Sequence, residues 1–364
     1  MRVGIDWRPA YAERGGIPVY VRHLVAALAE TFPADDWRLY GHRLRDRAAI
    51  ASGRVRPPAR AARLYSSPIP TRAAEALARF GVGADRLVGG CDVFHLTDYA
   101  WLRPTRAPLV ATVHDVLFEE LPRCYTPRMR RGLRHVTRRL VRHAARILVP
   151  SVRTKIGLVE RFRADPDRVD VVPLAPRAFP SAPPAGSFSR YALAVGTLEP
   201  RKNLLRLVDA HRIALARGSN VDLVVVGGRG WLDDSTLEAV RSSPRVRWEG
   251  AVDDERLLSL YRGALFLAYP SLGEGYGLPV AEALSLGVPV LTSAGTQCSD
   301  LAGDAALSVD PYDVEEMASE FGRLASDDAL RRSLVGRGLA RASAWSWTRT
   351  AEGTRETYAS AAAT

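Results

Sequence analysis

The feature that most narrows the fold is an alternation of short apolar runs with stretches of helical periodicity, kept along almost the whole chain. Arg2 to Trp7 reads as a short apolar strand, Arg8 to Ile17 as a loop containing Gly15-Gly16, and Pro18 as the opening of a helix through Val21, Leu24, Val25 and Leu28. Proline is tolerated in a first helical turn, where its missing N–H has no partner to lose. Further strands are expected at Val93–Leu96, Leu109–Val113, Arg146–Val149 and Val169–Val172. Apolar runs this short, separated by helices, imply a parallel sheet covered on both faces. The alternation breaks once. Pro173 to Pro184 carries five prolines in Pro173, Pro176, Pro180, Pro183 and Pro184, and cannot sustain a helix or a central strand. A second series follows, with strands expected at Tyr191–Val195, Val221–Val226, Val246–Trp248, Ala264–Ala268 and Val288–Thr292.

The expected fold class is therefore α/β, with two Rossmann-like parallel-sheet domains facing each other across a cleft. The boundaries are residues 1–172, a linker at 173–189, residues 190–342, and a helix at 343–364 packing back toward the N-terminal domain. A length of 364 residues suits two domains. Open sheets of this kind bind ligands at strand carboxyl ends.

The composition excludes several classes. No apolar run reaches the roughly 18 residues of a membrane span, and Met1 to Trp7 reads as a buried strand, not a signal peptide. Cys91, Cys124 and Cys298 are few, odd in number and without metal-ligand spacing, so a reduced, cytoplasmic setting is expected. The net charge is +11, yet Lys155 and Lys202 are the only lysines. A bias toward arginine produces much of that excess, so charge alone does not identify a polyanionic partner. The same bias singles out the two lysines that remain.

The most informative segment runs from Ser271 to Gly287. It follows an apolar strand, bends through Gly273, Gly275 and Gly277, and enters a helix at Leu278-Pro279 that Gly287 ends. The free N–H groups expected from Leu278 to Ala281 make an anion site, suited to a diphosphate. Glu274 in the loop and Glu282 in the helix could each accept hydrogen bonds from a diol, one on a sugar and one on a ribose. Taken alone, Glu282 reads more readily as a first-turn acid complementing the helix dipole, whereas for Glu274 the reading as a plain turn residue is the weaker one. A second segment, Gly196-Thr197-Leu198-Glu199-Pro200-Arg201-Lys202-Asn203, follows the strand Tyr191–Val195. Arg201 and Lys202 together can neutralise a diphosphate, although an ordinary basic loop is the alternative.

These segments resemble the large retaining glycosyltransferase family 4, which has the GT-B fold. Glu274 to Glu282 looks like its E-x7-E motif, and Gly196 to Asn203 is similar to its donor-phosphate loop. Gly4-Ile5-Asp6, Gly15-Gly16-Ile17, Val113-His114-Asp115, Val149-Pro150-Ser151 and Trp345-Ser346-Trp347 fall in the order the family has them. The resemblance implies a metal-independent enzyme whose co-substrate is a nucleotide sugar. Glu274 would hold hydroxyls of the transferred sugar and Glu282 the donor ribose. Arg201 and Lys202, with Gly196 and Thr197, would bind the diphosphate as it leaves. Gly275, Tyr276, Gly277 and Leu278 would complete the phosphate site, and backbone at Gly250 and Val252 would meet the base. Gly15 and Gly16 would admit the donor phosphates and the acceptor, and His114 would contact the sugar near the reacting carbon. Many family members carry Arg where this chain has Thr197, so Arg201 is expected to supply that charge.

The general look of the Gly4 and Gly196 segments points to mannose or a related hexose, carried by GDP or UDP. The expected acceptor is a saccharide or a polyprenyl- or lipid-linked sugar, in surface polysaccharide or glycolipid synthesis. A phosphorylase, a nucleotide-sugar epimerase and a non-catalytic sugar-nucleotide binder are the alternatives on a similar fold. A nicotinamide oxidoreductase is disfavoured because G-x-G-x-x-G follows neither first strand. Gly227-Gly228-Arg229-Gly230 is a further glycine signal that could line the donor site. Asp165-Pro166-Asp167 has the spacing of a metal-binding D-x-D but precedes a strand, and reads as a turn. Residues 127–145 form a basic helix, with an apolar stripe at Met129, Leu133, Val136, Leu140 and Ala144. Its arginines make it either a solvated surface helix or a dock on an anionic membrane, the enzyme then sitting peripherally on the inner face. Without aromatic interleaving or a recognised module, nucleic acid is not an expected partner.

Overall fold

The computed structural model describes residues 1–12, 15–42, 62–69, 73, 80, 82–99, 101–179, 190–232 and 234–363. The chain divides into two compact units. One comprises Met1–Glu119, Arg128–Leu174 and Ser346–Thr364, the other Glu120–Pro127 and Ala175–Trp345. Of the linker expected at 173–189, residues 180–189 lie outside the described residues.

The first unit is built on a seven-stranded sheet in the order β3-β2-β1-β4-β5-β6-β7, parallel throughout. The strands are β1 (Arg2–Asp6), β2 (Asp36–His42), β3 (Ala62–Ser67), β4 (Val93–Leu96), β5 (Leu109–Thr112), β6 (Arg146–Val149) and β7 (Val169–Val171). Central strands such as β4 and β5 are buried at every residue, as a sheet covered on both faces requires. Strands β2 and β3 were not expected from the sequence. Strand β3 is an edge, largely exposed, and its Arg63 and paired serines give no apolar run to read. Helix α1 (Gly16–Thr31) starts two residues earlier than Pro18 and keeps that proline inside its first turn.

The long basic helix α2 (Pro127–His143) buries Thr137, Leu140 and Val141 and half-buries Met129, Leu133 and Val136.

The second unit holds a six-stranded parallel sheet in the order β10-β9-β8-β11-β12-β13. Its strands are β8 (Tyr191–Val195), β9 (Asp222–Val226), β10 (Val246–Gly250), β11 (Phe266–Tyr269), β12 (Val290–Ser293) and β13 (Ala306–Val309). Strand β13, a partly exposed edge, also escaped the sequence reading. Helices α3 (Leu204–Ala216) and α6 (Val314–Ser326) close a core of Leu207, Val225, Phe266 and Phe321. Helices α4 (Asp254–Gly263) and α5 (Leu278–Ser285) flank β11 in sequence. Trp231 donates its indole N–H to the Cys124 carbonyl at 2.7 Å, holding the short segment 120–127 in this unit. In both sheets the strand order reverses beside the first strand, at β1/β4 and at β8/β11. That reversal leaves a crevice at the strand carboxyl ends, the usual ligand site of open α/β sheets.

In the first unit, the C-terminal helix α7 (Trp347–Ala362) is capped by Ser346, whose hydroxyl accepts from the Arg349 N–H. A buried polar chain fixes this helix to the sheet. Tyr358 Oη lies 2.7 Å from His95 Nδ1, His95 Nε2 lies 2.7 Å from Thr112 Oγ1, and Thr112 Oγ1 lies 2.9 Å from Tyr20 Oη.

Candidate active site

The two sequence segments singled out meet at the β8/β11 switch point of the second unit. Gly196 to Lys202 leaves the end of β8, and Ser271 to Gly277 leaves the end of β11. Asn203 fastens one loop to the other. Its buried side-chain amide donates to the Pro270 carbonyl at 3.0 Å and the Pro311 carbonyl at 2.7 Å. The backbone adds a bond from Leu272 N–H to the Arg201 carbonyl at 2.8 Å.

At this junction Glu274, Arg201 and Lys202 form one cluster. Lys202 Nζ reaches Glu274 Oε1 at 2.7 Å, and Arg201 Nη1 reaches Oε2 at 2.7 Å. Tyr269 and Ser271 donate their hydroxyls to Oε1 at 2.9 and 2.7 Å. Arg201 Nη2 is also held by Glu199 Oε1 at 2.5 Å. Burial opposes the charge on Glu274, but Arg201 and Lys202 outweigh it and hold the carboxyl down to about 2. The cations expected to face a diphosphate are thus already paired. Glu274 sits at a positive site for which an anion would compete.

The anion site at the start of α5 is narrower than expected. Gly277 caps the helix at φ 100°, a conformation that favours glycine. Pro279 has no N–H, and the N–H groups of Val280 and Ala281 both donate to the Gly277 carbonyl. Of the four positions from Leu278 to Ala281, only Leu278 keeps an N–H without a partner among the described residues.

Glu282 stands apart from this cluster. It lies beyond the first turn of α5, so the helix-dipole reading does not hold. Its side chain is 2% exposed; Tyr261 donates to Oε2 at 2.8 Å and Arg177 Nε to Oε1 at 3.2 Å. Burial pushes the carboxyl above its ordinary value, and Arg177 and Tyr261 offset this only in part.

Gly196 lies under the aliphatic stem of Lys202. Thr197, half-buried, packs its methyl against Gly230. Gly227 and Gly230 thus lie in close backbone contact with this loop, while Arg229 between them is exposed. A Cβ on Gly227 would stand 1.8 Å from the Gly196 carbonyl oxygen, and Leu198 N–H donates to the Gly228 carbonyl. Gly275 and Tyr276 are buried beside Glu274 in sequence. Gly250 ends β10 and its carbonyl accepts from Gly227 N–H at 2.8 Å; Val252 is half-buried nearby in sequence.

In the first unit, Gly15 caps α1 and is exposed with Gly16. His114 follows β5, with Nε2 2.8 Å from the Thr97 carbonyl. A carbonyl only accepts, so Nε2 carries the proton and a neutral ring offers Nδ1 as an acceptor. Asp165 caps a short turn by accepting from Asp167 N–H. Among the described residues, no group of three or more His, Cys, Asp or Glu side chains could hold a metal.

Sequence reasoning gave no role to Tyr269, Ser271 or Arg177, and read Glu199 and Asn203 only as motif letters. Tyr269 and Ser271 flank Pro270 at a strand end, a signal that could have been used. Nothing local distinguishes Arg177 among so many arginines.

Comparison with known proteins agrees with this architecture. The model of Glycosyltransferase Family 4 matches residues 14–175, and that of Glycosyl transferases group 1 matches residues 189–327. The chain is 34% identical over 256 residues to the O-antigen chain mannosyltransferase B of Escherichia coli, across 65% of this chain and 66% of that protein. It is 31% identical over 246 residues to a D-inositol 3-phosphate glycosyltransferase of Nocardia farcinica, across 62% of this chain and 54% of that protein. These matched stretches leave a third or more of each relative's length uncovered. Among solved structures, Anabaena HepE in complex with UDP and glucose superposes with a TM-score of 0.72 at 16% identity, over 99% of this chain and 100% of that one. The chain is a GT-B-fold relative of the family 4 nucleotide-sugar glycosyltransferases.

Proposed function

We propose that this chain is a retaining, metal-independent glycosyltransferase that moves a hexose from a nucleoside diphosphate to a saccharide or lipid-linked acceptor. The observation that carries the reading is the cluster of Glu274, Arg201 and Lys202 at the switch point, beside the start of α5. Breaking the bond between the anomeric carbon and the phosphate leaves negative charge on the diphosphate. Arg201 and Lys202 are fixed where they can stabilise that charge, and such preorganised charge is a large catalytic term. Their release from Glu274 frees its carboxylate to accept hydroxyls of the transferred sugar. Glu282 takes the ribose and Gly250 and Val252 the base, so the second unit is the nucleotide-sugar domain and the first the acceptor domain. The roles of His114, Gly15 and Gly16 toward sugar and acceptor rest on the resemblance alone. With a phosphate oxygen of the donor taking the acceptor proton on the same face, no protein nucleophile is needed.

Likeness to an O-antigen mannosyltransferase supports mannose as the sugar and surface polysaccharide as the product class. Fold likeness to a UDP complex keeps UDP beside GDP as the carrier. The test is incubation with radiolabelled GDP-mannose and UDP-hexoses, with and without chelator, following transfer to a saccharide or polyprenyl-linked acceptor. Transfer that survives chelation supports the reading; total loss with chelator refutes metal independence.

Membrane docking is part of the same proposal. Arg130 and Arg134 are both paired with Glu119, whereas Arg128, Arg131, Arg138 and Arg142 are exposed along α2. That exposed row is the surface suited to anionic headgroups. No helix among the described residues is long and apolar enough to cross a membrane.

A further inference from the structure

Glu282 poses a problem for any ligand that must use it as a charged acceptor. A carboxylate this deeply buried loses the solvation that stabilises its ionised form. The groups facing it come from two elements. Tyr261, on α4, donates to Oε2 at 2.8 Å and also lies 3.4 Å from the Pro279 carbonyl. Asp254, at the start of α4, opposes the charge through space. Arg177, in the segment that precedes β8, supplies the opposing cation at 3.2 Å.

Arg177 is itself held on three sides. Nη1 pairs with Asp254, Nε with Glu282, and the guanidinium lies over the Phe179 ring at 5.6 Å from its centroid. Phe179 in turn meets Tyr261 edge-on at 6.0 Å. The side chain is 16% exposed, while Asp254 is 52% exposed. One guanidinium thus bridges a buried carboxylate and a surface carboxylate, braced by an aromatic pair. Each oxygen of Glu282 accepts one of these bonds and retains a lone pair for a further donor.

We propose that Arg177 is a positioning residue, which through its Nε contact orients Glu282 and keeps it ionised to receive the cis-diol of the donor's ribose. This rests on the reading of Glu282 as the ribose carboxylate. Asp254 competes for the same guanidinium and repels Glu282, so the two neighbours act with opposite sign. Losing Arg177 leaves Glu282 protonated to higher pH, and a protonated carboxyl accepts the diol poorly. Losing Asp254 gives Arg177 wholly to Glu282 and extends the ionised range to lower pH.

The experiment is calorimetric titration of the full chain with UDP and GDP, each beside its 2′,3′-dideoxy counterpart, over a series of pH values. The readout is the diol preference, the affinity ratio within each pair, for whichever nucleotide the wild type binds. Wild type, Arg177→Met, Arg177→Lys, Asp254→Asn and Glu282→Gln are compared. The expected diol preference is about tenfold to a hundredfold, and Glu282→Gln removes it. Arg177→Met moves the pH at which the preference appears upward by about one unit or more, and Arg177→Lys restores most of it. Asp254→Asn, a change at a half-exposed position, moves it downward. If Glu282→Gln removes the preference while Arg177→Met and Asp254→Asn follow the wild-type profile, Arg177 has no positioning role and the ribose reading stands. An equal loss of affinity for both members of a pair at every pH marks a merely structural arginine and overturns the proposal. If Glu282→Gln leaves the preference intact, the ribose reading fails and the proposal with it.

Discussion

Replacing Glu274 by glutamine tests the cluster most directly, because the side chain keeps its shape and loses its charge. In the native chain the carboxyl, ordinarily near 4.5, is held down to about 2. At about 1.4 kcal/mol per unit, this is roughly 3 kcal/mol of preference for the ionised form in place. Only a tenth of the side chain is exposed, so solvent screening removes little of it. The sign follows from the lowered pKa. The contribution is complete above about pH 4.5, where the unfolded carboxyl is also ionised, and is lost as pH falls toward 2. In Glu274→Gln, Arg201 and Lys202 lose their shared counter-charge and the new amide N–H₂ faces a cation. The second unit should lose about 2–4 kcal/mol at neutral pH. At roughly 2–4 °C per kcal/mol for a domain of this size, its melting transition should fall by about 4–16 °C. The difference from wild type should close as the pH is lowered. The same variant should bind inorganic pyrophosphate more tightly, since Lys202 loses its counter-charge and Arg201 keeps only Glu199, while sugar transfer is abolished. Melting curves at a series of pH values, with pyrophosphate titration at neutral pH, decide the matter. Parallel stability profiles for the two proteins, with unchanged pyrophosphate affinity, would falsify the electrostatic account.

Lys202→Ala should lower transfer about a hundredfold to a thousandfold by removing charge from the leaving diphosphate; near-wild-type turnover in the same radiolabel assay excludes that role. Gly227→Ala would push a methyl into the Gly196 carbonyl and should destabilise the second unit by at least about 2 kcal/mol; an unchanged melting temperature contradicts the close approach. Tyr358→Phe leaves His95 Nδ1 buried without its partner and should cost the first unit about 1–3 kcal/mol by denaturant titration. Burial, with His114 nearby, pushes His95 down from 6.5 to about 3. The unfolded ring takes a proton that the native ring refuses, so the first unit should lose stability as pH falls through that window. His95→Asn should flatten that pH dependence, and an unflattened profile locates the effect elsewhere.

The sequence by itself determined the fold class. Parallel strands buried on both faces must be apolar runs, so β1, β4, β5, β8, β9 and β11 announce themselves. Edge strands carry no such demand. That is why β3 and β13, with exposed and polar residues, could not be read. The sequence also named Glu274, Arg201 and Lys202, because glycines around an acid and a lysine in an arginine-rich chain are local signals. It could not say that the acid sits on the cations. That pairing joins residues some seventy positions apart and exists only because β8 and β11 are neighbours in the sheet. The tertiary structure likewise decided that Glu282 is buried, that Val280 and Ala281 spend their N–H groups on Gly277, and that Arg177 covers the ribose candidate. Burial and pairing are properties of a neighbourhood, and the neighbourhood is assembled from distant segments. Periodicity reveals which residues must leave water, and only packing settles what each one meets there.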